Sequence, residues 1–284
     1  MNYRHDFHAG NFADVFKHVI LTRILIYLMR KPAPFRFIDT HAGAGRYDLS
    51  GAEAERTGEW RAGIGRLDLD AMNPRARELT APYAALVGAA ARGEGFYPGS
   101  PAVALAMLRP FDRMLFCDLH PEALKGLKAC VGKDKRAKVI ALDGYTGLNA
   151  FLPPVERRGL ILIDPPFEAE DEFERLAGAL VSAWRKWRDG VFVAWYPVKA
   201  GRGPQLLARH LRDAGIRALR LDFAIAPPEP GQRLTANGLI VINPPFCLEG
   251  EAACLLPELV RQLSQGRGAY ETGWIEPQGK EIET

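Results

Sequence analysis

The strongest constraint on the fold is a series of seven short, apolar and β-rich runs separated by helical segments. This alternation indicates a mostly parallel sheet with helices packed against it. The predicted strands are FRFIDT (35–40), RMLFCDL (113–119), KVIALD (138–143), LILID (160–164), VFVAWY (191–196), ALRLDF (218–223) and LIVIN (239–243). The sequence therefore predicts an α/β protein with a seven-stranded sheet.

The segments beside these strands have helical composition and recognisable helix starts. Asn11 is a plausible N-cap, and Pro101 and Pro121 fit the first position of a helix, where the missing N–H costs nothing. With 284 residues, 48% of them hydrophobic, the chain can bury one large core, so residues 1–284 are interpreted as a single domain. The predicted helices cover residues 13–29, 101–108, 121–131, 171–188 and 203–214.

One connection is too long for a simple crossover between parallel strands. More than 70 residues separate the first strand from the second, whereas about 20 to 40 suffice. Residues 47–97 are therefore predicted to form an inserted, Ala-rich helical subdomain over the strand ends. It either shapes access of the substrate or is a helical pair with no substrate role.

Several classes of protein are excluded by composition. The longest apolar stretch, VILTRILIYLM, is interrupted by Arg23 and is shorter than the roughly 20 residues that span a bilayer, so no membrane partner is expected. The first ten residues lack the apolar core of a signal peptide. The four cysteines form no CxxC pair, which favours reduced thiols in the cytoplasm. A net charge of +3 permits an anionic partner without requiring one.

Three histidines, His5, His8 and His18, crowd the amino terminus. Their spacing matches no common pattern of metal ligands, so hydrogen-bonding roles are expected and no metal site is predicted. Lys17, next to His18, is interpreted as an ordinary cation on a helix face.

Polar residues follow the first four predicted strands. The loop DTHAGAG contains Gly43 and Gly45, which permit positive φ and close approach of a ligand, although it falls short of a full GxGxxG motif. Ligands of open α/β sheets bind at the carboxyl ends of the parallel strands. Asp118 can accept hydrogen bonds from the hydroxyls of a ribose. Asp143, next to Gly144, can accept a hydrogen bond from an exocyclic amine. Each carboxylate alone can be a helix cap, but the ordered series favours the nucleoside of S-adenosyl-L-methionine.

The fourth strand ends in Asp164-Pro165-Pro166-Phe167, and this tetrapeptide suits methyl transfer to an amine of a base. The exocyclic nitrogen of adenine is a poor nucleophile because its lone pair is delocalised into the ring. The Asp164 carboxylate and the Pro165 carbonyl can accept its N–H groups and stabilise developing positive charge. Phe167 can stack on an extruded base.

These motifs carry a resemblance to a known family. The series FIDTHAGAG, FCDLHP, ALDGY and LILIDPPF resembles the amino-methyltransferases with a DPPF-type motif. The segments YRHDFHAGNFADVFKHVIL, DTHAGAGRY, YPGSP and RRGLILIDPPF resemble, over nearly the whole chain, the bacterial 23S ribosomal RNA adenine-N6 methyltransferases, once associated with use of external DNA as a nutrient.

The resemblance implies a Rossmann-like, class I S-adenosylmethionine-dependent fold whose last strand is antiparallel. It further implies a monomer that methylates free or early-assembly 23S rRNA. Asp164 is then the proton acceptor and Tyr3 contacts RNA. Phe167 stands where the family usually has Tyr, and Asp118 stands where it often has Glu. The implied cofactor-contacting positions are His18, His41, Ser100, Asp118, Asp143, Gly144 and Asp164.

Two alternatives remain open at this stage, because DPPF does not distinguish RNA from DNA. The chain can be a DNA adenine-N6 methyltransferase or a nucleic-acid-binding factor without turnover. Basic clusters at 133–138, 185–188 and 208–220 are candidate contacts for nucleic acid, although each can equally be a solvated helix face. A second motif, LIVINPPFCLE, repeats the DPPF pattern, and Asn243 is predicted to lie on the opposite rim because its strand is antiparallel.

Overall fold

Strands and helices alternate along the chain as the sequence predicts. The computed structural model describes residues 4–199, 201–229, 231, 233–264 and 266–278. Its strands are β1 (Arg36–Asp39), β2 (Arg46–Asp48), β3 (Phe96–Pro98), β4 (Arg113–Asp118), β5 (Ala137–Ala141), β6 (Gly159–Ile163), β7 (Val191–Pro197), β8 (Ala218–Ala224), β9 (Ala236–Ile242) and β10 (Ala269–Ile275). All seven predicted strands are present.

The helices include the five predicted ones and five others. They are α1 (Phe12–Met29), α2 (Ala52–Thr57), α3 (Glu59–Ala62), α4 (Pro74–Ala91), α5 (Ser100–Met107), α6 (Pro121–Val131), α7 (Gly144–Ala150), α8 (Glu172–Lys186), α9 (Gly203–Asp213) and α10 (Leu248–Leu263). Asn11 caps α1 as predicted, since its side chain accepts hydrogen bonds from the N–H groups of Ala13 and Asp14. None of the described helices combines the length and apolarity needed to cross a membrane.

The main sheet has eight strands in the order β10-β8-β9-β7-β6-β1-β4-β5, so the prediction of seven was one short. Strands β5, β4, β1, β6 and β7 are parallel, and β9 is antiparallel to both β7 and β8. The missed strand, β10, is an edge strand that is exposed over most of its length, so it lacks the apolar run that marks a buried strand. The antiparallel β9 lies inside the sheet, between β8 and β7.

Helices cover both faces of this sheet. Alternate strand residues point to opposite faces, as Phe37 and Ile38 of β1 illustrate by joining different core clusters. Helices α1, α4, α5 and α10 pack on one face, and α7, α8 and α9 on the other. From β1 the chain continues to β4 on one side, and from β6 it continues to β7 on the other side. This reversal of strand order opens a crevice at the carboxyl ends of β1 and β6.

The segment between β1 and α5 contains β2, α2, α3, α4 and β3. Strands β2 and β3 form a separate two-stranded sheet in which Tyr47 pairs with Tyr97. Helix α4 contributes buried residues such as Tyr83 and Val87 to the same core as α1. The segment therefore begins and ends at the paired strands β2 and β3, and its helix α4 packs against α1 and α10.

Candidate functional site

The crevice at the carboxyl ends of β1 and β6 contains a cavity of about 770 Å³. Its walls include the first turns of α1, the glycine loop after β1, and the DPPF segment after β6. A smaller cavity of about 210 Å³ adjoins it, and His41 and Asp118 line both. The predicted cofactor residues divide between them, with His18, Gly43, Ser100 and Asp164 in the larger and Asp143 and Gly144 in the smaller.

The glycine loop has the backbone geometry that the sequence predicts. Gly43 and Gly45 have φ angles of +61° and +77°, and a Cβ atom at Gly45 would lie 2.9 Å from the Sγ atom of Cys130. The Gly43 N–H donates to Asp118 Oδ2 at 2.8 Å, and the His120 N–H donates to Asp118 Oδ1 at 2.8 Å. Asp118 therefore braces the loop, and each oxygen retains a second lone pair for a ribose hydroxyl.

The smaller cavity is shaped by close packing between the loops after β1 and β5. A Cβ atom at Gly144 would lie 2.6 Å from the His41 ring, so glycine lets the two loops approach. Burial lowers the pKa of His41, which keeps the ring neutral beside Tyr145, 5.4 Å away between ring centroids. Asp143 Oδ1 accepts the N–H of Thr146 at 2.8 Å and thereby caps α7.

The carboxyl group of Asp39 lies at the end of β1, and Asp39 was not among the site residues predicted from the sequence. Asp39 is fully buried, and its Oδ2 accepts a hydrogen bond from Ser100 Oγ at 2.6 Å. The His41 N–H donates to Asp39 Oδ1 at 3.2 Å. Burial raises the pKa of Asp39 to about 7, against the opposing effect of the Ser100 hydrogen bond. Asp39 thus ties the glycine loop to the start of α5.

Asp164 belongs to a chain of alternating charges, which contradicts the interpretation of Lys17 as an ordinary surface cation. Lys17 Nζ lies 2.5 Å from Asp164 Oδ2 and 2.9 Å from Asp14 Oδ1, and its side chain is 6% exposed. Asp14 Oδ2 in turn lies 2.9 Å from His5 Nε2 and accepts the Gly10 N–H. Burial opposes the charge on Lys17, but the two carboxylates outweigh it and raise the pKa of Lys17.

The other end of Asp164 faces the cavity. Among the described residues, none donates a hydrogen bond to its Oδ1 atom. Pro165, Pro166 and Phe167 line the cavity beside it. Phe167 has a φ angle of +51°, a conformation that costs a bulky residue about 1 to 3 kcal/mol and must be held by its surroundings. Its ring packs against Phe173 and Trp195, with centroid distances of 4.8 and 5.8 Å.

The three amino-terminal histidines have separate partners. His5 contacts Asp14, His8 Nδ1 lies 3.0 Å from Glu59 Oε2, and His18 Nδ1 lies 2.8 Å from the Tyr97 hydroxyl. Across the described ranges, no three His, Cys, Asp or Glu side chains are placed to hold a metal ion.

His18 also carries the most direct sign of a polar ligand. Its Nε2 atom is buried without a hydrogen-bond partner within the described part of the chain, and burial lowers the pKa of His18 to about 3. A neutral ring that already contacts Tyr97 through Nδ1 has Nε2 available for a polar group in the adjoining cavity. A nucleoside with an amino-acid tail suits this cavity, because the glycine loop permits close approach of a ligand and Asp118 can accept hydrogen bonds from a ribose. Tyr3, expected to contact RNA, lies outside the described residues.

The second motif is on the opposite rim, as predicted. The Asn243 Nδ2 donates to the carbonyls of Arg188 and Gly190 at 2.6 and 2.8 Å, next to the amino end of β7. Asn243 does not line the cavity that contains Asp164.

Comparison with known proteins identifies the family to which this chain belongs. The family profile described as "Ribosomal RNA large subunit methyltransferase D, RlmJ" matches residues 32–276. Two relatives named ribosomal RNA large subunit methyltransferase J, from Escherichia coli K12 and Haemophilus influenzae Rd, are 40% and 38% identical, over 98% of this chain and 100% of each relative. A crystal structure from Legionella pneumophila, 33% identical, superimposes with a TM-score of 0.85 over 96% of this chain and 99% of that one. The chain belongs to the RlmJ family of ribosomal RNA large subunit methyltransferases, and its cofactor is S-adenosyl-L-methionine.

Proposed function

We propose that this protein methylates the exocyclic N6 of one adenosine in 23S ribosomal RNA. The names of the two relatives support a substrate in the large subunit. The observation that carries the chemistry is the placement of Asp164 and Phe167 in one cavity with the glycine loop. A hydrogen-bond acceptor for an amine and an aromatic surface for a base thus lie beside the predicted cofactor loop.

Asp164 acts on the target amine through the oxygen that faces the cavity. Lys17 Nζ donates a hydrogen bond to Oδ2 at 2.5 Å, which orients the carboxylate. Oδ1 is then directed to accept an N–H of the adenine, so the negative charge stabilises the nitrogen as it becomes positive. The Pro165 carbonyl is the second acceptor, and the carboxylate afterwards accepts the released proton. Phe167 stacks on the extruded base, a contact worth about 1 to 3 kcal/mol.

The remaining site residues bind and orient the cofactor, which supplies a methyl group on a sulfonium sulfur. Gly43 and Gly45 allow close approach of the backbone, and Asp118 accepts the ribose hydroxyls. Asp143 and Gly144 bind the adenine end. His18, His41 and Ser100 line the rest of the cofactor site, with both rings kept neutral by burial.

The substrate is held by parts of the chain outside the sheet. Helix α3 of the insertion contributes Glu59 to the cavity wall, so the insertion, residues 47–97, is inferred to shape access of the RNA. Tyr3 is inferred to contact the RNA, as the family resemblance implies. We further infer that the protein acts as a monomer in the cytoplasm on free or early-assembly rRNA.

The test is methyl transfer to defined nucleic acids. The purified protein is incubated with labelled cofactor and 23S rRNA from cells that lack the gene, and the nucleosides are identified by mass spectrometry. N6-methyladenosine is expected in this rRNA but not in genomic DNA, and the Asp164→Asn variant should produce it at least about a hundredfold more slowly. Methylation of DNA alone would indicate a DNA methyltransferase. Binding of RNA without any methyl transfer would indicate a factor without turnover.

A further inference from the structure

A ladder of side chains leads from the DPPF segment to the mouth of the cavity. Trp195, Pro197 and Lys199 line the cavity, whereas the intervening Tyr196 and Val198 do not. This period of two is that of a strand, in which alternate side chains share a face. The pairing of β7 with β9 continues past Pro197, because the Val198 N–H donates to the Ala236 carbonyl at 2.9 Å. Lys199 therefore continues the ladder outward.

The connection between β8 and β9 lies beside this ladder at the mouth, because β9 pairs with β7. This hairpin is closed by the Ile225 N–H, which donates to the Thr235 carbonyl at 2.8 Å. It contributes Arg233 and Leu234 to the same cavity. Arg233 and Lys199 are both exposed. Neither forms a hydrogen bond or an ion pair with another residue in the described ranges, so both cations are available to a ligand.

The inner part of this passage is apolar and aromatic. Trp195 is fixed by a hydrogen bond from its Nε1 to Asn237 Oδ1 at 2.9 Å, and Asn237 is fully buried. Its ring meets Phe167 edge-on. The nearby carboxylate of Glu59 already accepts hydrogen bonds from His8 and Asn11, at 3.0 and 3.1 Å. A base therefore fits the inner end of the passage, and an anionic group fits the outer end.

We propose that Lys199 and Arg233 bind the phosphates that flank the target adenosine, so that Trp195 and Pro197 guide its base towards Asp164. This inference rests on the proposed function, because it takes the substrate to be an RNA strand. A phosphate lies on each side of any extruded nucleotide, and two exposed cations on neighbouring strand ends at the mouth suit two successive phosphates. Lys199 and Arg233 are positioning residues, since neither reaches the reacting nitrogen.

The experiment compares charge reversals at the mouth with matched reversals elsewhere. Lys199→Glu, Arg233→Glu and the double variant are expected to raise the Kd for an RNA that contains the target, by about tenfold or more for the double variant. The slope of log K against log salt should become shallower by about 0.7 per lost phosphate contact. The KM for RNA should rise, whereas kcat at saturating RNA and the Kd for the cofactor should stay near wild-type values.

Lys135→Glu and Arg209→Glu serve as controls, because both residues are exposed, belong to other basic clusters and lie outside the cavity. They should leave the Kd and the salt slope unchanged. Equal losses in the control and mouth variants, or no loss in the mouth variants, would overturn the assignment of these phosphate contacts.

A modified RNA tests the contacts from the other side. Replacing the phosphate on either side of the target adenosine by a neutral methylphosphonate should weaken binding to the wild-type protein. The same change should cost the double variant little more, because the contact is already lost. Additive losses would contradict the inference while leaving the proposed function intact. A wild-type protein that methylates no RNA at all would instead remove the proposed function and this inference with it.

Discussion

The segments LILIDPPFEAE and LIVINPPFCLE are nearly the same in sequence and lie on opposite rims of the sheet. Both follow fully buried strands, β6 and β9, and both contain a residue with a left-handed backbone, Phe167 at φ +51° and Asn243 at φ +53°. They differ in strand direction, since β6 is parallel to β1 and β9 is antiparallel to β7. The first therefore ends at the cofactor rim, and the second ends at the opposite rim.

The difference shows that the direction of a strand decides which rim of the sheet a short motif reaches, and therefore which residues surround it. Asp164 contacts Lys17 and the cavity, whereas the side chain of Asn243 donates to the carbonyls that precede β7. Phe167 packs among other aromatic side chains, whereas Phe246 is 82% exposed and touches Tyr27 by its edge. Substitutions at matched positions of the two segments should therefore have different effects on turnover and on the free energy of unfolding.

The largest effect is expected at Asp164. Asp164→Asn removes the negative charge that stabilises the developing ammonium, so kcat should fall by about 10²- to 10³-fold. The Kd for the cofactor, measured by calorimetry, should change little because Lys17 retains its contact with Asp14. Near-normal turnover of this variant would refute the role proposed for the carboxylate.

The converse change, Asn243→Asp, creates a second DPPF and is the matched control. Aspartate tolerates the left-handed backbone, but it loses both N–H donors to the carbonyls of Arg188 and Gly190. The free energy of unfolding should fall by about 1 to 3 kcal/mol, while turnover of the folded protein stays unchanged. A change in kcat would mean that the opposite rim takes part in catalysis.

The next largest effect concerns the cation that only the first segment has. Lys17→Met leaves Asp14 and Asp164 without their shared partner, so the free energy of unfolding should fall by about 3 to 5 kcal/mol. We expect kcat to fall by about tenfold to a hundredfold.

A double variant separates the two roles of Lys17. Adding Asp14→Asn to Lys17→Met removes a buried charge, so stability should partly recover in urea unfolding. Turnover should not recover, because Asp164 still lacks its cation. Recovery of both would reduce Lys17 to a structural residue.

The fold was largely predictable because buried strands leave continuous apolar runs, and all seven such runs are strands in the structure. Strand β10 was missed because an exposed edge leaves no such run. In the site, Gly43 and Gly45 were predictable from local backbone needs. Lys17 was not, because its partner Asp164 is 147 residues away and no local pattern records that contact.

A smaller effect should separate the two phenylalanines. Phe167→Ala removes a surface on which a base can stack, so the KM for RNA should rise by about tenfold. Phe246→Ala should leave the KM unchanged and alter the free energy of unfolding by less than about 0.5 kcal/mol, because the side chain is 82% exposed. Steady-state kinetics on both variants measure the contrast, and an equal rise in KM would mean that stacking is not what Phe167 contributes.

The last prediction concerns stability at Asp39, which shows that position on this rim of the sheet does not by itself decide charge. Burial raises the pKa of Asp39 to about 7, so between about pH 4 and 7 the unfolded chain has lost this proton while the native protein keeps it. The contribution to stability is therefore complete below about pH 4 and is lost as the pH rises through 7. Asp39→Asn mimics the protonated form, with its N–H donating to Ser100 Oγ and its oxygen accepting the His41 N–H. In urea unfolding at pH 5, 6, 7 and 8, the variant should gain on the wild type by up to about 1.4 kcal/mol per pH unit until pH 7 and then stay level. A difference that does not vary with pH would mean that Asp39 is ionised in the native protein.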